Sequence, residues 1–137
     1  MNRLWCSLFI IALCIGLSNA LKKNSVHFKN SLGQNNILRI HCISDEDDLG
    51  YHNLSPGQTY DFSFHDSIAG TRINCDLWQG LDYRFHAHFL AYDGDILIPS
   101  FGRNNFWDAR EDGIYFTHDI LIVPKLKYKW DLLPFLK

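Results

Sequence analysis

The sequence predicts an all-β protein, a small antiparallel β-sandwich of about seven to eight strands. Three observations carry that expectation. Apolar and polar residues alternate along most of the chain, the period of a strand with one buried face. Turn-forming residues interrupt the alternation at spacings of roughly ten residues. Beyond the leader, no stretch sustains a helical period over about ten residues.

Residues 1–20 stand apart. One early charge, Arg3, precedes an apolar run over 8–17, and Ser18 and Ala20 place small residues before an expected cut. That is the layout of a secretory signal peptide, and its apolar run is short for a membrane span. An uncleaved anchor helix is the alternative. The expected organisation is a signal peptide over 1–20 and one β-sandwich domain over 21–137. Cleavage removes Cys6 and Cys14 and leaves Cys42 and Cys75. It also removes Arg3, so 12 basic residues face 15 acidic ones, a net charge near −3 with neutral histidines. A nucleic-acid partner would want a strongly basic face, so that class is excluded.

The strands follow in order. Residues 25–30 put Val26 and Phe28 on one face, and 31–36 are turn chemistry. Residues 37–43 set Leu38, Ile40 and Cys42 against Ile37, Arg39, His41 and Ile43. Asp45, Glu46, Asp47 and Asp48 then open a solvated loop that runs to a turn at 53–57. Residues 58–64 align Tyr60, Phe62 and Phe64, and 71–78 align Ile73, Cys75 and Leu77. The longest strand, 83–92, turns Tyr83, Phe85, Ala87, Phe89 and Ala91 inward and Arg84, His86 and His88 outward. A short edge at 96–98 is stopped by Pro99. Residues 105–109 and 114–118 flank a tight turn at Glu111-Asp112-Gly113. Residues 120–123 form an apolar strand ending at Pro124. Residues 125–132 close the chain, with Lys125, Lys127 and Lys129 on one face and Leu126, Tyr128, Trp130 and Leu132 on the other.

Cys42 and Cys75 both fall on inward faces of an exported chain, so one disulfide is the simplest outcome, with two separate buried thiols as the alternative. A bridge closing about 34 residues contributes roughly 4 kcal/mol in the chain-entropy account.

Candidates for chemistry are few. Paired carboxylates hydrolyse glycosides only when two are fixed across a cleft in different environments. Four contiguous acids read instead as a solvated loop, free to face a basic partner surface. Their spacing is not that of an EF-hand, and the central glycine is missing. His86 and His88 share a strand face, with His41 or His118 as further imidazoles, but no third metal ligand stands at a fixed offset. No nucleophile elbow, H-E-x-x-H helix or phosphate-cradling glycine loop occurs. The expectation is no catalytic residue, no metal and no cofactor. Asn53-Leu54-Ser55 is an N-glycosylation sequon, with Pro56 restricting the serine backbone. Trp78 and Trp107 read as packing. Exposed together they would form a sugar-stacking surface, the basis of an alternative reading as a secreted carbohydrate-binding or cell-wall-modifying protein. The lysine face reads as a guarded edge strand, and less readily as a dock for an acidic partner.

One string is more specific. Residues 41–50, H-C-I-S-D-E-D-D-L-G, resemble the H-C-x-S-x-D-D-D-L-G signature of plant self-incompatibility S1 proteins, the S-protein homologues. Val26 to Leu32 look like the family's opening V-x-I-x-N-x-L, with Phe28 and Asn30 in its third and fifth places. Leu54 and Gly57 fit its L-x-x-G, and Tyr60, Phe62 and Phe64 its aromatic alternation. Thr71 to Trp78 look like T-x-F-x-C-x-x-W with Ile73 in the aromatic place. Residues 86–93 match the strand that follows, and Trp107, Asp112, Gly113 and Tyr115 fit W-x-x-x-x-D-G-x-Y. The resemblance spans nearly all of 25–130. It implies a secreted β-sandwich acting as a small extracellular recognition or signalling ligand for a cell-surface receptor protein. In poppies such proteins signal rejection of self pollen. Many members carry two further cysteines near the W-x-x-x-x-D-G hairpin, where this chain has none. If that later pair bridges within itself, its joint loss leaves Cys42 and Cys75 to pair, the more economical reading. If the family's bridges cross between early and late cysteines, both thiols here are orphaned.

Overall fold

The computed structural model describes residues 22–67, 70–94 and 101–134. The leader and the 96–98 edge strand lie outside the described residues. Ten strands appear among the described residues: β1 (Asn24–Asn30), β2 (Leu38–Ser44), β3 (Asp48–Leu54), β4 (Thr59–Phe64), β5 (Arg72–Gln79), β6 (Phe85–Asp93), β7 (Asn104–Arg110), β8 (Gly113–Thr117), β9 (Lys125–Tyr128) and β10 (Asp131–Leu132). A 3-10 turn, Leu81–Tyr83, joins β5 to β6.

They form two five-stranded sheets, β4-β1-β7-β8-β9 and β10-β6-β5-β2-β3. Neighbours are antiparallel except β1 and β7, which run parallel. Alternation decides the packing, because successive side chains of a strand point to opposite faces. Val26, Phe28, Trp107, Ala109 and Ile114 turn inward from the first sheet, and Leu38, Ile40, Cys42, Ile73, Cys75, Leu77, Ala87, Phe89 and Ala91 from the second. Each fully buried Ile, Leu or Phe among them contributes about 1.5–3 kcal/mol of hydrophobic free energy. Rings close both flanks. His52 of β3 stacks on Tyr60 of β4 at 3.8 Å, and Phe89 of β6 stacks on Tyr128 of β9 at 4.8 Å.

The sandwich has more strands than expected, and three segments differ from expectation. Asp48 is the first residue of β3, not the last of a wet loop, and Asn53 lies on that strand rather than in a turn. Asp, Gly and Asn are poor strand formers, which hides β3 in the sequence. It is an edge strand paired only with β2, it shares an irregularity between His41 and Ile43, and Gly50 takes φ +82°. Residues 120–123 are not a strand; they stand in the β8–β9 loop. The expected strand 125–132 is cut in two. β9 completes the first sheet and β10 pairs with β6 of the second, so the tail crosses between sheets at Lys129 and Trp130. Trp130 anchors the crossing by donating its Nε1–H to Arg110 O at 2.8 Å.

Registers fix which loops share an end. Asn24 lies opposite Phe64, Ser25 opposite Asn104, and Phe106 opposite Thr117. In the other sheet Ser44 lies opposite Ile73, and Arg72 opposite Asp93. Asn24 Nδ2 donates to Asp66 Oδ1 at 3.2 Å just beyond the end of the β1–β4 pair. The acidic loop, the β4–β5 connection and the β8–β9 loop therefore emerge at one end.

Candidate functional site

The acidic residues do two different things at that end. Ser44 Oγ caps the loop, accepting from Asp47 N at 3.0 Å and donating to Asp47 O at 3.2 Å. Asp45 Oδ2 accepts from the Arg72 backbone N at 2.9 Å and ties the loop to β5. Asp48 Oδ1 accepts from Gly50 N at 2.9 Å and lies 2.7 Å from His41 Nε2. The Gly50 N–H above all, and then His41, holds the Asp48 carboxyl below its ordinary value of 3.8. Glu46 and Asp47 are exposed, and their carboxylates have no hydrogen-bond or ion-pair partner among the described residues. Of four candidate acids, two hold the loop and two face outward. The loop borders a cleft of about 260 Å³ with an apolar floor of Leu49, Phe62, Phe64 and Ile73.

The Asp48 contact makes a pH prediction. A depressed folded-state pKa contributes stability above the ordinary carboxylate value, lost as pH falls through 3.8 toward the folded value. Urea midpoints between about pH 6 and about pH 2 are expected to fall less steeply for Asp48→Asn than for the parent. Identical profiles would remove Asp48 as a contributor.

Two residues before Ser44 on β2, Cys42 sits directly opposite Cys75 in register, with Cα atoms 4.1 Å apart, and the two are joined by a disulfide. The bridge lies in the core, so Ile40 and Cys42 serve packing while the acids beyond them serve the surface.

The imidazoles divide between the sheets. Asp76 Oδ1 lies 2.7 Å from His86 Nε2 and 2.9 Å from His88 Nδ1 on the outer face of the second sheet. His41 is on that face too, but engaged with Asp48, while His118 packs edge-on against Phe116 of the first sheet at 4.6 Å. Among the described residues no group of three His, Cys, Asp or Glu is placed to hold a metal ion.

The tryptophans are not together. Trp107 is 3% exposed, packs on Phe89 at 4.6 Å, and donates its Nε1–H to Ala91 O at 3.2 Å. Trp78 lies on the outer face of the second sheet, stacked with His86 at 5.3 Å. The alternative of a two-tryptophan sugar platform is not formed, because Trp107 points into the core and Trp78 to the outer face of its sheet. Lys127 is not simply solvated either; its Nζ lies 4.7 Å from the Phe116 ring centroid. Leu126, expected inward, is exposed.

Sequence reasoning missed two features here. Residues 120–123 stand in solvent, with Ile120 78%, Leu121 89%, Ile122 57% and Val123 79% exposed. Their unbroken apolarity read as a buried strand, and only the nearby Asp119 and Pro124 hinted at a loop. The second is a ring cluster around Arg39. Its signal was present, since Arg39 and Trp78 both alternate outward on neighbouring strands, but Tyr51 lay on the unrecognised β3.

Comparison with known proteins fits this geometry. The family model described as plant self-incompatibility protein S1 matches residues 25–130. S-protein homolog 9 of Arabidopsis thaliana is 62% identical over 95% of this chain and 99% of its own length. S-protein homolog 11 of the same plant is 57% identical over 95% and 94%. A solved structure aligns with a TM-score of 0.66 at 32% identity, covering 80% of this chain and 95% of its own. It is described as a self-incompatibility protein homologue, from a widespread family of small, highly stable, secreted plant proteins.

Proposed function

Because the chain belongs to the plant self-incompatibility protein S1 family, we propose that it is a small extracellular recognition ligand whose loop end meets a cell-surface receptor protein. Like its family, the protein is secreted. The observation that supports the receptor reading best is the exposed quartet Ile120, Leu121, Ile122 and Val123. Soluble proteins seldom leave four consecutive large apolar residues in water, and such patches mark interaction surfaces. Glu46 and Asp47 emerge at the same end with unpaired carboxylates. Charges of that kind steer encounter and set specificity, while the apolar surface contributes affinity.

The same reading makes the chain a binder rather than an enzyme. Asp45, Asp48 and Asp76 are committed to hydrogen bonds that hold loops and imidazoles in place. Rejection of self pollen is one process such a ligand serves. Proximity labelling on intact plant cells with the purified mature protein tests the proposal: it should enrich one membrane protein, and labelling no stronger than that of an unrelated secreted sandwich would count against it.

We infer two processing events as well. Residues 1–20 act as a cleaved signal peptide, leaving 21–137 as the mature domain. Asn53 carries an oligosaccharide: it is exposed on the outer edge strand, where a glycan meets no neighbour strand. Secreted protein should therefore lose mass on treatment with peptide-N-glycosidase F and start near Leu21. An unchanged mass would remove the glycan, and an N-terminal peptide from the leader would remove the cleavage.

A further inference from the structure

A cation enclosed by aromatic rings occupies the outer face of the second sheet, away from the loop end. Arg39 of β2 lies opposite Trp78 of β5. Its guanidinium carbon is 4.4 Å from the Tyr51 ring centroid, 5.6 Å from Tyr83 and 5.8 Å from Trp78. Arg39 Nε is buried and has no hydrogen-bond partner among the described residues, nor does Arg39 form an ion pair there. Burying such a donor unpaired is costly, and each case asks for an explanation. The carboxylates of this face do not supply one, since Asp48 is engaged by His41 and Asp76 by His86 and His88.

Of the three rings Tyr51 is exposed, while Trp78 and Tyr83 are half-buried. Tyr51 is 56% exposed and stacks on His41 at 4.1 Å, and it stands 6.2 Å from Trp78, which in turn stacks with His86. Tyr83 is held at φ +51°, a left-handed conformation rare for an aromatic residue, which sets its ring beside the guanidinium.

We propose that this face binds an acidic saccharide, an oligosaccharide bearing uronate units. The arrangement has a counterpart for each part of such a ligand. The guanidinium, which has no ion-pair partner among the described residues, takes the carboxylate through its terminal nitrogens in a charge-assisted pair. The flat C–H faces of the pyranose rings lie on Tyr51 and Trp78, whose rings are large apolar surfaces with polar edges. Imidazoles of His41 and His86 border the row and meet ring hydroxyls. A neutral sugar leaves Arg39 without a counter-charge, and a flexible acidic peptide leaves the ring faces unused.

Asn53 lies opposite Arg39 on this face, so calorimetric titration of the mature protein after enzymatic removal of any Asn53 glycan tests this, with a hexamer of α-1,4-linked galacturonate as ligand and maltohexaose and hexaglutamate as comparators. The hexauronate should bind, and weaken at least about tenfold in high salt. Arg39→Gln and Tyr51→Ala should each lower the affinity at least about tenfold with little change in melting temperature. Tyr51→Ala alone decides the matter if Arg39→Gln does not fold, because Tyr51 is an exposed edge-strand residue. No heat up to millimolar hexauronate, equal binding of maltohexaose or of hexaglutamate, or undiminished binding by Tyr51→Ala would each overturn the proposal.

Discussion

Replacing Cys42 and Cys75 together by alanine is expected to lower the unfolding free energy by about 4 kcal/mol. The two residues are 33 positions apart and buried in the centre of the second sheet. In the chain-entropy account, freeing a loop of that length restores conformational freedom to the unfolded chain and leaves native contacts nearly intact. For a domain of this size the change corresponds to a fall of roughly 15–25 °C in melting temperature. It is also a large share of the roughly 5–15 kcal/mol that keeps such domains folded. With one bridge between the two core strands, no second staple compensates among the described residues. Urea unfolding of the secreted parent and the double variant measures the difference, and a loss below about 1 kcal/mol would show the bridge to be incidental.

Trp107→Ala should cost about 3–5 kcal/mol, whereas Trp78→Ala should cost far less. Trp107 sits at the meeting of both sheets. It touches Phe89 of β6 and Phe116 of β8, and its indole N–H satisfies the Ala91 carbonyl. Truncation leaves a cavity the surrounding strands cannot close and a buried carbonyl without its donor. Trp78 is half-buried on an outer face, and solvent fills the space it vacates. Thermal melts of the two variants separate these roles. Equal losses would mean that the assignment of Trp107 to the core and Trp78 to the surface is wrong.

The contrast between the tryptophans shows how far alternation carries. Val26 and Phe28, Ile73, Cys75 and Leu77, and Ala87, Phe89 and Ala91 all face the core where period two places them. Wherever one face is buried, a one-residue slip would expose every apolar side chain, so the pattern specifies the face strongly. What it does not specify is partnership. That β1 lies parallel to β7, and that the tail leaves one sheet for the other at Trp130, depend on contacts between residues far apart in the chain. β3 was hidden by Asp48, Gly50 and Asn53, residues whose turn chemistry is overridden by pairing with β2. The apolar run at 120–123 misled in the opposite direction, because apolarity alone does not separate a buried strand from an exposed binding loop.

The resemblance motifs are legible for a related reason: several of their residues build the fold. Asn30 is buried and donates to Leu54 O at 2.8 Å and to Asn36 O at 2.9 Å, closing the far end of the sandwich. Asp112 accepts the Tyr115 hydroxyl at 2.6 Å. A Cβ on Gly113 would lie 2.5 Å from Tyr128 O, so only glycine lets β9 approach there. The acidic signature behaves likewise at Asp48, which accepts from Gly50 N and lies against His41, while Glu46 and Asp47, in its other two acidic places, face solvent.

Binding of the labelled mature protein to intact plant cells tests the loop-end account most directly. The comparison is between the parent and a variant with Ile120, Leu121, Ile122, Val123, Glu46 and Asp47 changed to serine. These side chains are exposed, so the two melting temperatures should agree within a few degrees, as expected for surface changes of about 0.5 kcal/mol or less each. The account predicts saturable binding by the parent and at least about a tenfold weaker binding by the variant, about 1.4 kcal/mol or more. Equal binding by the two folded proteins would contradict it.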